Sequence, residues 1–242
     1  MKDVYITGDI HGTLPNVIVE KLLPEDSVII ILGDAGFLYY GQKSAREKNL
    51  KSLAQSLGYT FYCVRGNHER RPQSYGLELR YDNFVKGNVY WEDEYPNIKY
   101  FADFGEYKIE DYSIAVIGGA YSVDKTYRLQ MGYYWNPEEQ LNAEEQQKCY
   151  SMLNGKHYDF ILSHTCPYSY RPIHLFLPSI DQSTVDNSME EFLEKIKDSV
   201  DWDAYCFGHY HGDEILANGV KMFYEDIWHL DKTYDRLTET KE

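Results

Sequence analysis

Val4-Tyr5-Ile6-Thr7-Gly8-Asp9-Ile10-His11-Gly12 runs a short β-type stretch straight into a glycine-flanked aspartate and histidine. The same pattern recurs down the chain. Residues 28–32 lead into Gly33-Asp34, residues 60–64 into Arg65-Gly66-Asn67-His68-Glu69, residues 159–162 into Ser163-His164, and residues 204–207 into Gly208-His209-Tyr210-His211-Gly212. Apolar runs without strict alternation suit strands covered on both faces.

Helical patterns lie between these runs. Residues 44–57 carry Ala45, Leu50, Leu53, Ala54 and Leu57 at helical spacing, with Gly58 as the stop. Asn136-Pro137-Glu138-Glu139 reads as a cap, a first-position proline and first-turn acids, opening a helix that ends near residue 153. Val185, Met189, Phe192, Leu193, Ile196 and Val200 form a third stripe, and residues 100–118 read as a β-hairpin around Glu110-Asp111. The fold class is therefore layered α/β. Residues 121–135 and 168–181, rich in Tyr and Pro, fit no regular element and read as long functional loops. Residues 1–230 are expected to form a single domain, followed by a charged, frayed tail at 231–242.

Composition narrows the partners. The 242 residues hold 24 Lys+Arg against 39 Asp+Glu, a formal charge of −15. Such a surface repels a phosphate backbone and an anionic lipid headgroup, so neither long nucleic acid nor a membrane is an expected partner. The longest aliphatic run is residues 28–32, far short of the roughly 20 residues a membrane span needs. The start, Met1-Lys2-Asp3, leaves no room for a signal peptide before the first strand. Cys63, Cys149, Cys166 and Cys206 include no CxxC pair and read as reduced thiols of a cytoplasmic protein.

The strand ends carry the chemistry. Asp9, His11, Asp34, Asn67, His164, His209 and His211 supply carboxylate, imidazole and amide groups without a thiolate, a donor set suited to Mn, Fe or Zn. In an open α/β sheet, ligands gather outside the carboxyl ends of the strands. Seven such groups exceed what one ion needs.

The blocks GDIHG (8–12), GD (33–34), GNHE (66–69), SH (163–164) and GHYH (208–211) resemble the calcineurin-like metallophosphoesterases. They stand in that family's order and cover about residues 1–212, similar to small bacterial- and phage-type members of unassigned substrate. The resemblance implies an α/β/β/α sandwich, two mixed sheets flanked by helices, with a dinuclear metal site at the carboxyl ends of the strands. It implies that Asp9, His11 and His211 bind one divalent ion, that Asn67, His164 and His209 bind the other, and that Asp34 bridges them. His68 would stand over the phosphate of a small phosphorylated substrate. Two ions, Mn foremost with Fe or Zn as alternatives, could hold a bridging hydroxide that attacks phosphorus while His68, as general acid, protonates the leaving oxygen.

Substrate contacts are less defined. Arg128 and Arg171 are the candidates, Arg128 because its loop fits no regular element, with pairing to Asp124 as its alternative role; His174 ranks below them. Arg65 is read as a structural partner for a carboxylate, and Glu69 as orienting the turn it follows. In the Ser/Thr phosphatase branch an Asp and an Arg follow the second block and buttress the catalytic histidine. Here Asp34 is followed by Ala35-Gly36-Phe37, which weighs against protein phosphatase activity. The alternatives are a phosphodiesterase for small diesters or cyclic nucleotides, and a catalytically silent metal-binding scaffold for a protein partner.

Overall fold

The computed structural model describes residues 2–239. Its first seven-stranded sheet contains β1 (Val4–Thr7), β2 (Val28–Ile31), β3 (Thr60–Cys63), β4 (Arg80–Asp82), β5 (Gly87–Trp91), β6 (Ile98–Phe101) and, from the chain's end, β13 (Ile227–His229). The order is β13-β1-β2-β3-β6-β5-β4, parallel from β1 through β6 and antiparallel outside. The second sheet has six strands: β7 (Phe104–Ile109), β8 (Tyr112–Ile117), β9 (His157–Ser163), β10 (Asp201–Phe207), β11 (Glu214–Ala217) and β12 (Val220–Met222). Its centre, β8-β9-β10-β12, is parallel. β7 and β8 form the hairpin expected around Glu110-Asp111, with Glu110 in the left-handed region at φ 55°.

Strand alternation sorts the side chains into layers. On β2, Ile30 joins Ile6, Tyr62, Val116, Phe160 and Cys206 in a cluster between the two sheets. Its neighbours Ile29 and Ile31 face the other way, against Ile18 of helix α1 (Asn16–Val19) and Leu50 and Ala54 of α2 (Ala45–Ser56). Three further helices follow: α3 (Lys125–Met131), α4 (Ala143–Leu153) and α5 (Ser188–Ser199). The outer face of the second sheet, including Ile161 and Phe207, packs against Cys149 and Leu153 of α4 and Met189, Leu193 and Ile196 of α5. Helix, sheet, sheet, helix is the layering the motifs imply, with two mixed sheets.

Several local expectations are corrected. The α4 helix starts six residues later than the Asn136-Pro137 pattern suggests, because Asn142 forms the capping box: its side chain accepts from the Glu144 and Glu145 amides and Glu145 returns a bond to the Asn142 amide. Glu139, expected in the first turn, is taken instead by Ser122 and the Trp135 indole. Val185 lies before α5 and outside the helix. The stretch 121–135 is not wholly irregular, since α3 occupies Lys125–Met131. The reading of residues 231–242 as a frayed tail fails over the described part. Helix α6 (Leu230–Thr238) buries Leu230, Thr233 and Leu237, and the two leucines enter the cluster between the sheets. Residues 240–242 of that tail lie outside the described residues. Among the described residues no helix is long and apolar enough to cross a membrane, and all four cysteines are free and buried.

Candidate metal centre

The five blocks leave the carboxyl ends of parallel strands in both sheets, β1, β2 and β3 in one and β9 and β10 in the other. Backbone bonds stitch them together. The His11 amide donates to the Asp34 carbonyl at 2.8 Å, and the Gly208 amide to the His164 carbonyl at 2.9 Å. Across the sheets, the His209 amide donates to Asp9 Oδ1 at 2.9 Å, and His164 Nδ1 meets the Leu32 carbonyl at 2.8 Å.

Backbone strain concentrates at the same place. Outside glycine, positive φ occurs at His11 (45°), Asp34 (47°), His209 (68°) and His211 (53°), and otherwise at Lys21, Asp26, Lys86 and Glu110, all four in turns. An unfavourable backbone conformation at four of seven candidate ligands persists only where the surroundings over-determine it. The flanking glycines are needed for contact: a Cβ at Gly66 would collide with Asp34 Oδ1, and one at Gly208 with Asp9 Oδ1.

The side chains divide into two groups that overlap at Asp9, the second of them including Asp34. Asp9, His11 and His211 converge on one side, with His211 Nε2 3.5 Å and His11 Nε2 3.8 Å from Asp9 Oδ2, and 2.9 Å between the two ring nitrogens. Asp9, Asp34 and His164 converge on the other. His164 Nε2 lies 2.8 Å from Asn67 Oδ1 and 3.6 Å from Asp34 Oδ2. His209 stands at the edge of this second group, its ring edge-on to His164 at 5.0 Å between centroids.

Four observations show that these residues suit cations. Asp9 Oδ2 is buried and has no close hydrogen bond, its nearest donors being the His211 and His11 ring nitrogens at 3.5 and 3.8 Å, and the bond to Asp9 foremost raises the His211 pKa, so this carboxylate draws positive charge to itself. His164 has an oxygen beside each ring nitrogen, the Leu32 carbonyl at Nδ1 and Asn67 Oδ1 at Nε2. Burial works to lower its pKa, but Asp34 and Asp9 push it up to about 9, so the carboxylates hold a proton where a metal would satisfy them equally. Burial works to raise the Asp34 carboxyl, and the imidazoles of His68, His164 and His11 outweigh it, holding that carboxyl well below the ordinary range. His209, buried beside the positive His164, is pushed down to about 3 and keeps its ring neutral, the form that ligates.

A supporting layer orients the donors. Asn67 Nδ2 donates to Ser122 Oγ at 2.8 Å, and Ser122 donates onward to Glu139 Oε2 at 2.6 Å, which leaves Asn67 Oδ1 facing inward. Glu69 accepts from the Gly36 and Gly66 amides at 3.0 and 3.3 Å and so ties the second block to the third, the orienting role read for it; burial foremost, then Asp34, push its carboxyl up to about 7. Arg65 is buried and structural as expected, bonded to Asp103 and, at 2.8 Å, to the Glu139 carbonyl.

His68 sits beside the cluster, its Nε2 3.9 Å from Asp34 Oδ2. Its ring is contacted by Arg128 Nη2, 3.0 Å from Nε2 and closer to Nδ1. Burial first, and then the Arg128 charge, lower the His68 pKa against the opposing pull of Asp34. Arg128 is itself fixed by Asp124 Oδ2 at 2.7 Å, the Tyr39 hydroxyl at 3.1 Å and the Tyr134 carbonyl at 3.3 Å. The pairing with Asp124 read as the alternative role of Arg128 is thus present, and the same guanidinium also reaches His68. Arg171 is not at the cluster; it lies farther along an adjoining cavity, and His174 pairs at the surface with Glu214 at 3.0 Å. Tyr39, Ser122 and Glu139 are missed by sequence reasoning, because no local spacing marks residues recruited across 89, 55 and 17 positions respectively.

A family model described as calcineurin-like phosphoesterase matches residues 2–213. No curated protein matches the chain. Among solved structures, a protein of unknown function from Aquifex aeolicus is 12% identical, with 98% of this chain and 100% of that one covered and a TM-score of 0.45. A second solved structure is also 12% identical, with 96% of each chain covered and a TM-score of 0.49.

Proposed function

The chain belongs to the calcineurin-like phosphoesterases, and on that premise we propose that it hydrolyses a small phosphate ester at a two-cation centre, with Asp9, His11 and His211 holding one ion, Asn67, His164 and His209 the other, and Asp34 shared. The observation that supports this reading is the convergence of residues from all five blocks around the buried carboxylates of Asp9 and Asp34. Divalent cations bound there would lower the pKa of a coordinated water and neutralise the non-bridging phosphate oxygens. An all-N/O donor set makes Mn the first candidate, with Fe or Zn next.

The protein's own groups supply the rest. Arg128, prealigned by Asp124, Tyr39 and the Tyr134 carbonyl, is a forked donor poised to take phosphate oxygens. His68, beside the ligand groups rather than among them, is placed to give a proton to the leaving oxygen. The Asp and Arg that follow the second block in the Ser/Thr phosphatase branch are absent here, and Asp124 with Arg128 offers an equivalent pair from a different segment. A silent scaffold has no use for that pair, which favours turnover. The four buried free thiols support a reducing, cytoplasmic setting.

The test is turnover of p-nitrophenyl phosphate and its bis-ester with Mn²⁺, within a wider panel of mono- and diesters that also includes cyclic nucleotides. His68→Ala should lower kcat on alkyl phosphates, whose basic leaving oxygen needs the proton, by about 10²–10⁴ with metal content near wild type. The absence of metal-stimulated hydrolysis across the panel would overturn the proposal, and loss of metal from His68→Ala would overturn the role given to His68.

A further inference from the structure

A cavity of about 440 Å³ opens directly against the cluster, and Asp34, Asn67, His68, His209 and His211 form its inner wall. The outer wall is mostly apolar, with Val123, Leu175, Phe176, Leu177, Ile180 and Val185 set among a smaller number of polar side chains. Leu177 is 57% exposed, and Leu175 and Val123 are each 39% exposed, so this apolar surface faces water beside a polar centre.

The polar groups in the outer wall are mostly engaged with one another. Asn187 Oδ1 accepts from Arg171 Nη1 at 2.7 Å, and its Nδ2 donates to the Val185 carbonyl at 3.2 Å. Glu190 Oε1 accepts from Thr165 Oγ1 at 2.8 Å, and the Tyr210 hydroxyl meets the same Thr165 oxygen at 3.2 Å. Arg171 stacks 3.4 Å over the Tyr168 ring. Asp124 and Glu190 face the cavity with Arg171, so this wall carries no excess positive charge to attract a second phosphate. Glu190 Oε2, in this wall, is buried without a hydrogen-bond partner, while most of the remaining surface is apolar.

We propose that this cavity receives the organic group of the substrate, and that the substrate is the phosphate ester of an apolar alcohol. The proposal rests on the phosphoesterase reading and adds the substrate class to it. Because the inner wall is the cluster itself, a group filling the cavity is joined to a phosphate at the cluster through the ester oxygen alone. The Leu175–Leu177 segment and Val123 then set specificity by chain length, each buried methylene strengthening binding by about fourfold.

Alkylphosphonates test this without requiring turnover. Calorimetry on the Mn²⁺-loaded protein should show n-hexylphosphonate binding at least about tenfold more tightly than methylphosphonate. In parallel, kcat/KM should be greater by a similar factor for n-hexyl phosphate than for ethyl phosphate, whose leaving alcohols have matched acidity. Leu177→Asp and Val123→Asp, both at exposed positions, should each shrink the hexyl-to-methyl affinity ratio by about fivefold or more, with circular dichroism verifying the fold. Equal affinity for the two phosphonates, or a ratio unmoved by both substitutions, would overturn the cavity assignment. Hydrolysis without chain-length selectivity would do the same while leaving the phosphoesterase reading intact. Selectivity for the hexyl chain without hydrolysis of any ester would support the cavity and overturn the reading.

Discussion

Replacing Arg128 by alanine separates catalysis from stability, because the two effects differ sharply in size. The ion pair with Asp124 has a partner 39% exposed, so solvent screening limits its contribution to less than about 1 kcal/mol. In a chain of this length that pair alone corresponds to a fall in Tm of about 2–4 °C, to which loss of the bonds from this buried side chain to the Tyr39 hydroxyl and the Tyr134 carbonyl adds. The contact proposed with the phosphate is different in kind. A prealigned donor stabilising the charge that develops at the reacting group is worth about 2.7–4 kcal/mol, or about 10²–10³ in rate. Arg128→Ala should therefore lower kcat/KM for p-nitrophenyl phosphate by that factor at saturating Mn²⁺, with metal content unchanged. Arg128→Lys should fall between, since it keeps the charge but loses the fork that reaches His68, Tyr39 and Asp124 together. A kcat/KM within about threefold of wild type for Arg128→Ala would refute the reasoning. So would an activity loss accompanied by loss of metal or a collapse in Tm.

Three further predictions follow from other parts of the molecule. Gly208→Ala drives a Cβ into Asp9 Oδ1 and should weaken Mn²⁺ affinity by about tenfold or more in calorimetry, whereas unchanged affinity would show that Asp9 does not ligate. Leu237→Ala removes a side chain 1% exposed within the central cluster and should cost about 2–5 kcal/mol in urea unfolding; a loss below about 1 kcal/mol would mean that α6 contributes little. Burial works to raise the Asp82 carboxyl, but Lys99 and the Phe84 amide outweigh it and hold the group low. Its contribution is thus present above the unfolded value near pH 3.9 and is lost as pH falls through the folded value. Asp82→Asn should lower the urea midpoint at pH 7 and converge with wild type below about pH 4; a constant difference across that range would contradict the assignment.

How far the fold and the centre could be read from sequence depends on the reach of each interaction. The strand-end blocks were legible because a short apolar run and the glycine, aspartate and histidine after it are contiguous, and the chemistry restricts which residue types can stand there. Helix α6 was not, since Asp231, Lys232, Asp235 and Arg236 dominate its composition while only Leu230, Thr233 and Leu237 mark the buried face. The start of α4 was misread because Asn136 and Asn142 both look like caps locally. The choice between them is made by Glu145 bonding back to Asn142 while Ser122 and Trp135 take Glu139. Helix α3 buries only Arg128 and leaves Tyr127, Leu129 and Met131 exposed, so no apolar stripe announces it. The contact between Arg128 and His68 spans 60 positions, and nothing in the spacing of either residue encodes it.

The central claim is that Asp34 joins two cation sites at the ends of the strands. Metal content by mass spectrometry, after loading with Mn²⁺ and removal of the free ion by gel filtration, tests it most directly. Wild type should retain two ions per chain, and Asp34→Asn, which removes the shared negative charge, should retain fewer than one. Wild-type protein that retains no Mn²⁺, Fe²⁺ or Zn²⁺, or an Asp34→Asn variant as fully loaded as wild type, would contradict the account.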